Sequence, residues 1–348
     1  METLGKQEGL TRRQFVWSSV AGGLVGAVTT FPARALAQAK PKVVLKAISV
    51  WEKTITWSAP LLELMARVEK KSGGELVIEW KGGPEAVPPF QSAEPVSKGV
   101  FDMIQTSAAF YASAVPEAIA IYPERASPKA LRDAGAIKVM DEVHREKFNV
   151  AFLGVPSSGI GFVMLTRAPA RNLEFFKGKK IRTTPLYTPL LRALGASTVT
   201  IAPAEVYPAL ERGVADGLAW PEMGIEERKV HEVCKYMLLP TYYDVRTSLL
   251  MNKSAFDRLS PHLQKVLLEA VVEVEEWGVK VFREEADKEQ ERLRKYGMEM
   301  IKLPDAEAKR YLQIARDAIW EQIIKDAPKN GPRLREAFIK AAQMGGSS

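Results

Sequence analysis

From Ser260 to Tyr296 the chain keeps a helical repeat without a break, "SPHLQKVLLEAVVEVEEWGVKVFREEADKEQERLRKY". Ser260 stands as an N-cap, Pro261 occupies the first helical position, where a missing N–H is harmless, and Gly297 follows the end. At ~1.5 Å per residue such a helix is on the order of 50 Å long, longer than one domain of this size requires. Charges interrupt its apolar stripe, which suits a helix laid across two lobes. A coiled-coil dimerisation helix is the competing reading, but Glu273, Glu275 and Glu276 break the seam it needs.

Ahead of that helix the pattern alternates. "VVLKAISV" (43–50) reads as a buried strand with Trp51 at its carboxyl end, and "PLLELMARVEKK" (60–71) puts Leu61, Leu64, Met65 and Val68 on one helical face. "ELVIEW" (75–80), a helix near 91–99 and a strand over 101–105 running into Thr106 and Ser107 come next. A helical segment over 128–148 precedes strands at 150–156, 160–167 and 179–183. The spacing then predicts short helices near 187–194 and 204–213, an extended "STVTIA", a strand-turn over 214–224 and one long strand over 242–253. The fold class expected is α/β: mostly parallel, doubly wound sheet in two units, with strands crossing between them.

Residues 1–37 form a separate expectation. "LTRRQFVWSSVAGGLVGAVTTFPARALAQA" has paired Arg12 and Arg13, then Phe15, a small-residue apolar run and Ala35-Leu36-Ala37. That layout predicts a twin-arginine export signal cleaved before Gln38; the run is shorter than the ~20 apolar residues a membrane span needs. Four basic and two acidic side chains leave with it, so the formal net charge of +7 becomes +5. The remaining lysines are mixed with glutamates and form no basic stripe with interleaved aromatics, so no nucleic-acid partner is expected. One cysteine, Cys234, excludes an internal disulfide, and the three histidines (His144, His231, His262) are expected as solvated helix-face residues.

In open α/β sheets ligands sit beyond the carboxyl ends of strands. Trp51, Thr106, Ser107, Phe162, Arg182 and Trp220 are the residues expected to end strands there. Aromatic rings would cover a ligand's apolar part and hydroxyls would fix its polar atoms. Tyr187, with Tyr111 and Tyr243, is a weaker candidate. The motif content argues against an enzyme: Ser157-Ser158 lies in "PSSGIG", which is no nucleophile elbow, no histidine falls in a strand-end loop, and no Gly-rich phosphate loop follows a first strand.

Four stretches in order, "VEKKSGGELVIEW", "SKGVFDMIQTS", "FKGKKIRTTPLYTPLLRALGASTVTIAPAEVYPALERGVADGLAWP" and the "LSPHLQKVLLEA" helix, resemble the solute-binding proteins of TRAP transporters, the DctP type. The resemblance implies a two-lobed periplasmic-binding-protein-like fold, with lobe I at 38–160 plus about 247–285 and lobe II at 161–246 plus about 286–335. It also implies a receptor in the periplasm that closes by a hinge on a small organic acid and passes it to membrane permease subunits. In that family the arginine at the position of Arg182 holds the ligand carboxylate, and a guanidinium fork fits that task. An exported enzyme acting on small carboxylic acids, or the receptor of an ATP-driven importer, are the alternatives. Relatives that bind 2-oxo or 2-hydroxy acids with a metal ion have a tryptophan where Trp220 stands and an acidic residue before it. Here Ala219 precedes it and Glu222 follows, so no metal or cofactor is assigned. A Ca or Na ion bound with the ligand stays open, with Glu222 the candidate. "EAVPPFQSAEPV" resembles the oxo-acid group, which makes Gln91 a candidate polar contact.

Overall fold

The structure, a computed structural model, describes residues 42–345; the expected export segment lies outside the described residues. Eleven strands are formed: β1 (Val43–Ser49), β2 (Leu76–Gly82), β3 (Met103–Thr106), β4 (Val150–Gly154), β5 (Gly161–Thr166), β6 (Lys180–Thr183), β7 (Ser197–Thr200), β8 (Gly217–Pro221), β9 (Tyr236–Asp244), β10 (Ser248–Asn252) and β11 (Glu299–Lys302). They build a first sheet in the order β2-β1-β3-β10-β4 and a second in the order β11-β9-β5-β8-β6-β7.

Both sheets are mixed, which corrects the expectation of a mostly parallel arrangement. β1 pairs parallel with β2 and β3, whereas β10 runs antiparallel to β3 and β4. In the second sheet β6 lies parallel to β7 and β8 and β11 to β9, while β5 runs antiparallel to β8 and β9. The reason lies in how the chain changes sheets. β10 arrives from the second sheet over three residues, too few for the crossover a parallel neighbour needs. It therefore starts where β3 ends, with Ser248 opposite Thr106. By the same logic β5 starts where β8 ends, with Phe162 opposite Pro221.

The single strand expected over 242–253 is broken for this reason. Its first part belongs to β9, its last part to β10, and Val245–Thr247 carry the chain between sheets. Likewise the helical segment 128–148 is two helices, Pro128–Asp133 and Ala136–Phe148, parted at Gly135, whose φ of 80° suits glycine.

The long helix spans Pro261–Lys295, and Ser260 Oγ accepts the Leu263 N–H at 3.3 Å as the cap. Its first half buries Leu263, Leu267, Ala270, Val271 and Val274 against Leu45, Ile78 and Met103 of the first sheet and Leu61, Leu64 and Val68 of the helix Ala59–Lys71. Phe282 and Ala286 join a second cluster, and Leu293 packs with Val163, Leu165 and Leu218 of the second sheet. Each such Leu or Phe contributes ~1.5–3 kcal/mol of burial, so one helix is tied into both sheets. Two buried carboxylates on it hold loops: Glu275 accepts the Val155 N–H at 2.7 Å, and Glu289 accepts those of Gly224 and Glu226 at 2.6 Å each. Gly278 makes room for the β4–β5 connection, since a Cβ there would lie 2.2 Å from the Pro156 carbonyl oxygen.

His144 departs from expectation. It is fully buried on the inner face of its helix, where Nδ1 donates to the Met140 carbonyl at 2.7 Å and the ring tilts against Phe152. Burial pushes its pKa down to about 4. His262 is exposed, and His231 is half-buried and stacked on Tyr296. No helix among the described residues is long and apolar enough to cross a membrane.

Candidate ligand-binding cleft

The carboxyl ends of β1, β3, β6 and β8 converge on one cleft that opens to solvent at its mouth. From the first sheet come Trp51, Trp57, Ser107 and Phe110; from the second come Phe162, Arg182, Thr184, Tyr187 and Trp220. Val245, Arg246 and Thr247, the segment passing between sheets, line it as well.

Arg182 is the third residue of β6, hydrogen-bonded in register between β7 and β8, and 1% exposed. Its guanidinium lies 5.0 Å from the centre of the Trp220 ring. Nε and Nη2 both donate to the Ile201 carbonyl, at 3.0 and 2.7 Å, and Nη1 makes a long 3.4 Å contact with the Ala219 carbonyl. One edge of the fork is thus occupied by a single carbonyl, which leaves the Nη1/Nη2 edge for another acceptor. Among the described residues no carboxylate pairs with it. Burial pushes its pKa down to about 10, so at neutral pH a desolvated, unneutralised cation sits in the cleft.

Arg246, equally buried, was not singled out from sequence. Its Nη2 is paired with Asp244 and donates to the Ala126 carbonyl at 2.6 Å, and Nη1 donates to the carbonyls of Glu124, at 3.0 Å, and Ile121. Only Nε lacks a partner. The signal was there: Asp244 and Arg246 are opposite charges inside an otherwise apolar run, and a buried pair needs such company. Thr184, Trp57 and Phe110 were also missed; nothing in their local pattern separates them from core or loop residues.

The expected residues divide into two groups. Trp51, Ser107, Phe162, Arg182, Tyr187 and Trp220 come together at the cleft. Trp51 stacks on Trp57 at 6.0 Å, Phe162 meets Tyr187 edge-to-face at 5.1 Å, and Ser107 Oγ lies 2.8 Å from the Tyr122 hydroxyl. Phe162 gets there from the amino end of β5, not the carboxyl end expected, because β5 runs antiparallel to β8. Thr106 is buried behind Ser107 and does not line the cleft. Gln91 is exposed on the turn Pro89–Gln91, outside it. Glu222 is buried elsewhere: Oε1 accepts from the Gly161 N–H at 2.7 Å and Arg283 at 3.1 Å, and Oε2 accepts from Gln290 at 2.8 Å. Among the described residues no cluster of His, Cys, Asp or Glu gathers to hold a metal ion.

The mouth is bridged by polar contacts between the loop after β1 and the loop after β8. Arg228 donates to both Glu52 oxygens at 3.1 and 2.6 Å, and Glu227 Oε1 accepts the Thr56 N–H at 3.1 Å and its hydroxyl at 2.5 Å. Gly224, with φ of 78°, lets that second loop pass over the Trp57 indole, 2.7 Å from where a Cβ would stand.

Two sheets sharing one long helix, with an aromatic cleft and a free buried cation between strand ends, define a ligand-capturing receptor. Over residues 48–326 the chain matches the family model of bacterial extracellular solute-binding proteins, family 7 (DctP), and it belongs to that family. It is 26% identical over 277 residues to the uncharacterized protein YiiZ of Salmonella typhimurium, an alignment covering 77% of this chain and 82% of that one. It is 27% identical over 172 residues to the 2,3-diketo-L-gulonate-binding periplasmic protein YiaO of Escherichia coli, covering 49% of this chain and 52% of that one. Its fold is similar to a TRAP periplasmic solute binding protein from Desulfovibrio salexigens solved with orotic acid, with a TM-score of 0.78 at 20% identity, covering 87% of this chain and 99% of that one. The family, the Desulfovibrio salexigens protein and YiaO are substrate-binding receptors, not enzymes.

Proposed function

We propose that this protein is the periplasmic receptor of a TRAP transporter, exported by the segment at 1–37, and that it captures a small organic acid through Arg182. The observation that carries this reading is Arg182 itself: buried at the strand ends, in the cleft, with one bidentate edge free and no carboxylate partner among the described residues. A carboxylate on that edge forms two parallel charge-assisted hydrogen bonds and neutralises the cation. Orotate and 2,3-diketo-L-gulonate, the ligands of the two relatives named for what they bind, are both carboxylates.

Capture works by closure of two lobes, 38–160 plus about 247–285 against 161–246 plus about 286–335. Val245–Thr247 and the β4–β5 connection serve as hinge strands. Acid held by Arg182 on one side and covered by Trp51 and Trp57 on the other gains contacts that an open cleft lacks, so ligand shifts the population toward the closed form. The closed surface is then what the permease subunits recognise. Mature protein starting at Gln38 is titrated calorimetrically with a panel of carboxylates. The expected result is binding that Arg182→Ala weakens ~30-fold or more, with Arg182→Lys in between because a point charge replaces the fork. Equal binding by wild type and Arg182→Ala sinks the reading.

A further inference from the structure

Three arginines line the cleft, and their partners differ. Arg228 gives both its Nη groups to Glu52, and Arg246 gives its Nη groups to Asp244 and three carbonyls. Arg182 has no carboxylate among the described residues, and its Nη1/Nη2 edge meets only the long Ala219 contact. Glu227, also at the cleft, adds a negative charge near the mouth. Two of the three cations are thus paired, with Glu52 and Asp244, while Glu227 engages the Thr56 N–H and hydroxyl and Arg182 has no carboxylate partner among the described residues. A ligand's first carboxylate finds a fork; a second finds none, and meets Glu227 if it points outward.

Six aromatic rings form the walls: Trp51, Trp57, Phe110, Phe162, Tyr187 and Trp220. Most polar atoms free to serve a ligand are single donors set at the edges of those rings. Ser107 is engaged with Tyr122 and the Ala109 N–H, and Thr247 with Ser157. Thr184 Oγ1, Trp220 Nε1 and Arg246 Nε are buried without a partner, and among the described residues the Tyr187 hydroxyl and the Trp51 and Trp57 indole N–H groups make no hydrogen bond either. A sugar acid brings four or five hydroxyls, each needing a partner when desolvated, onto walls made mostly of ring faces. A flat ring is the shape that such walls cover best.

Resting on the carboxylate-capture reading above, we infer that the ligand is a planar aromatic monocarboxylate, its carboxylate end-on to Arg182 and its ring between the tryptophan walls. Arg246 Nε, Trp220 Nε1 and Thr184 supply single hydrogen bonds to a ring heteroatom or substituent.

The test is competition calorimetry at pH 7 with benzoate, nicotinate, lactate, succinate, phthalate and galacturonate on wild type and Arg182→Ala. Expected is binding of benzoate or nicotinate at least ~10-fold tighter than each of the others, and lost in Arg182→Ala. Phthalate separates ring from charge: it keeps the ring and adds a second carboxylate, so equal binding of phthalate and benzoate overturns the charge account. An Arg182-dependent preference for lactate, succinate or galacturonate overturns the inference while leaving carboxylate capture intact. If no acid binds, or binding ignores Arg182, carboxylate capture fails and this inference goes with it. Phe162→Leu adds a check on the wall: affinity for benzoate falls more than affinity for lactate, and an equal fall counts against the aromatic account.

Discussion

Arg182 and Arg246 are both 1% exposed, both line the same cleft and both donate to backbone carbonyls, yet they are opposite in kind. Arg246 has an aspartate two residues away and carbonyls from three residues of another segment, so its charge is spent on holding the crossing between sheets. Arg182 has only the carbonyls of Ile201 and Ala219, and its charge is left over. Burial therefore does not tell a paired arginine from an unpaired one; the partners do. Breaking the buried pair strands a charge, whereas removing the unpaired arginine strands none.

The sharpest way to break this comparison is to remove each arginine in the ligand-free protein. Arg246→Met strands Asp244 and the carbonyls it serves, and should lower unfolding free energy by about 3–5 kcal/mol in urea melts. Arg182→Met removes a cation whose burial is uncompensated, so stability should change by no more than about 1 kcal/mol while binding is lost. Comparable losses in the two variants would show that Arg182 is structural after all.

His144 offers a third buried base, held neutral. Its folded pKa of about 4 lies below the ordinary value of 6.5, so the unfolded chain takes up a proton first as pH falls. Stability is fully present above pH 6.5 and declines between 6.5 and 4, by on the order of 3 kcal/mol from this group. Melts across that window should be flatter by that amount in His144→Gln, and parallel profiles would refute the assignment. Arg182 gives the opposite arm in binding rather than stability. Only its protonated form holds a carboxylate, so affinity measured at constant ionic strength should stay level from pH 6 to 9. A fall inside that window would count against a guanidinium, which stays protonated throughout it, as the holding group. The smallest effect belongs to the mouth. Glu52→Gln opens a half-exposed pair worth less than about 1 kcal/mol, seen as ligand release up to ~5-fold faster, with the difference erased in 1 M salt.

Much of the fold was legible along the chain. The helix from Pro261, its Ser260 cap and its stop before Gly297 follow from local chemistry, and so do most strand cores, because apolar periodicity is a local property. What periodicity cannot report is direction. Residues 242–253 carry a continuous strand pattern, yet Arg246 finds its carbonyls on the segment Ile121–Ala126, more than a hundred residues away in sequence, and the strand divides there. His144 was misjudged for the same reason: a polar residue on a charged helix looks solvated until residues from elsewhere in the chain, here Tyr111 and Phe152, cover it.

The sequence by itself determined that this chain is α/β with a long spanning helix, and it marked Arg182, Trp51, Ser107, Phe162, Tyr187 and Trp220 as residues to watch, through strand-end position and the DctP resemblance. Only the tertiary structure decided which of the buried charges are free. Pairing is a property of the folded chain, fixed when Glu52 meets Arg228 across 176 positions and Asp244 folds back on Arg246, and among the described residues it leaves Arg182 the buried cation without a carboxylate.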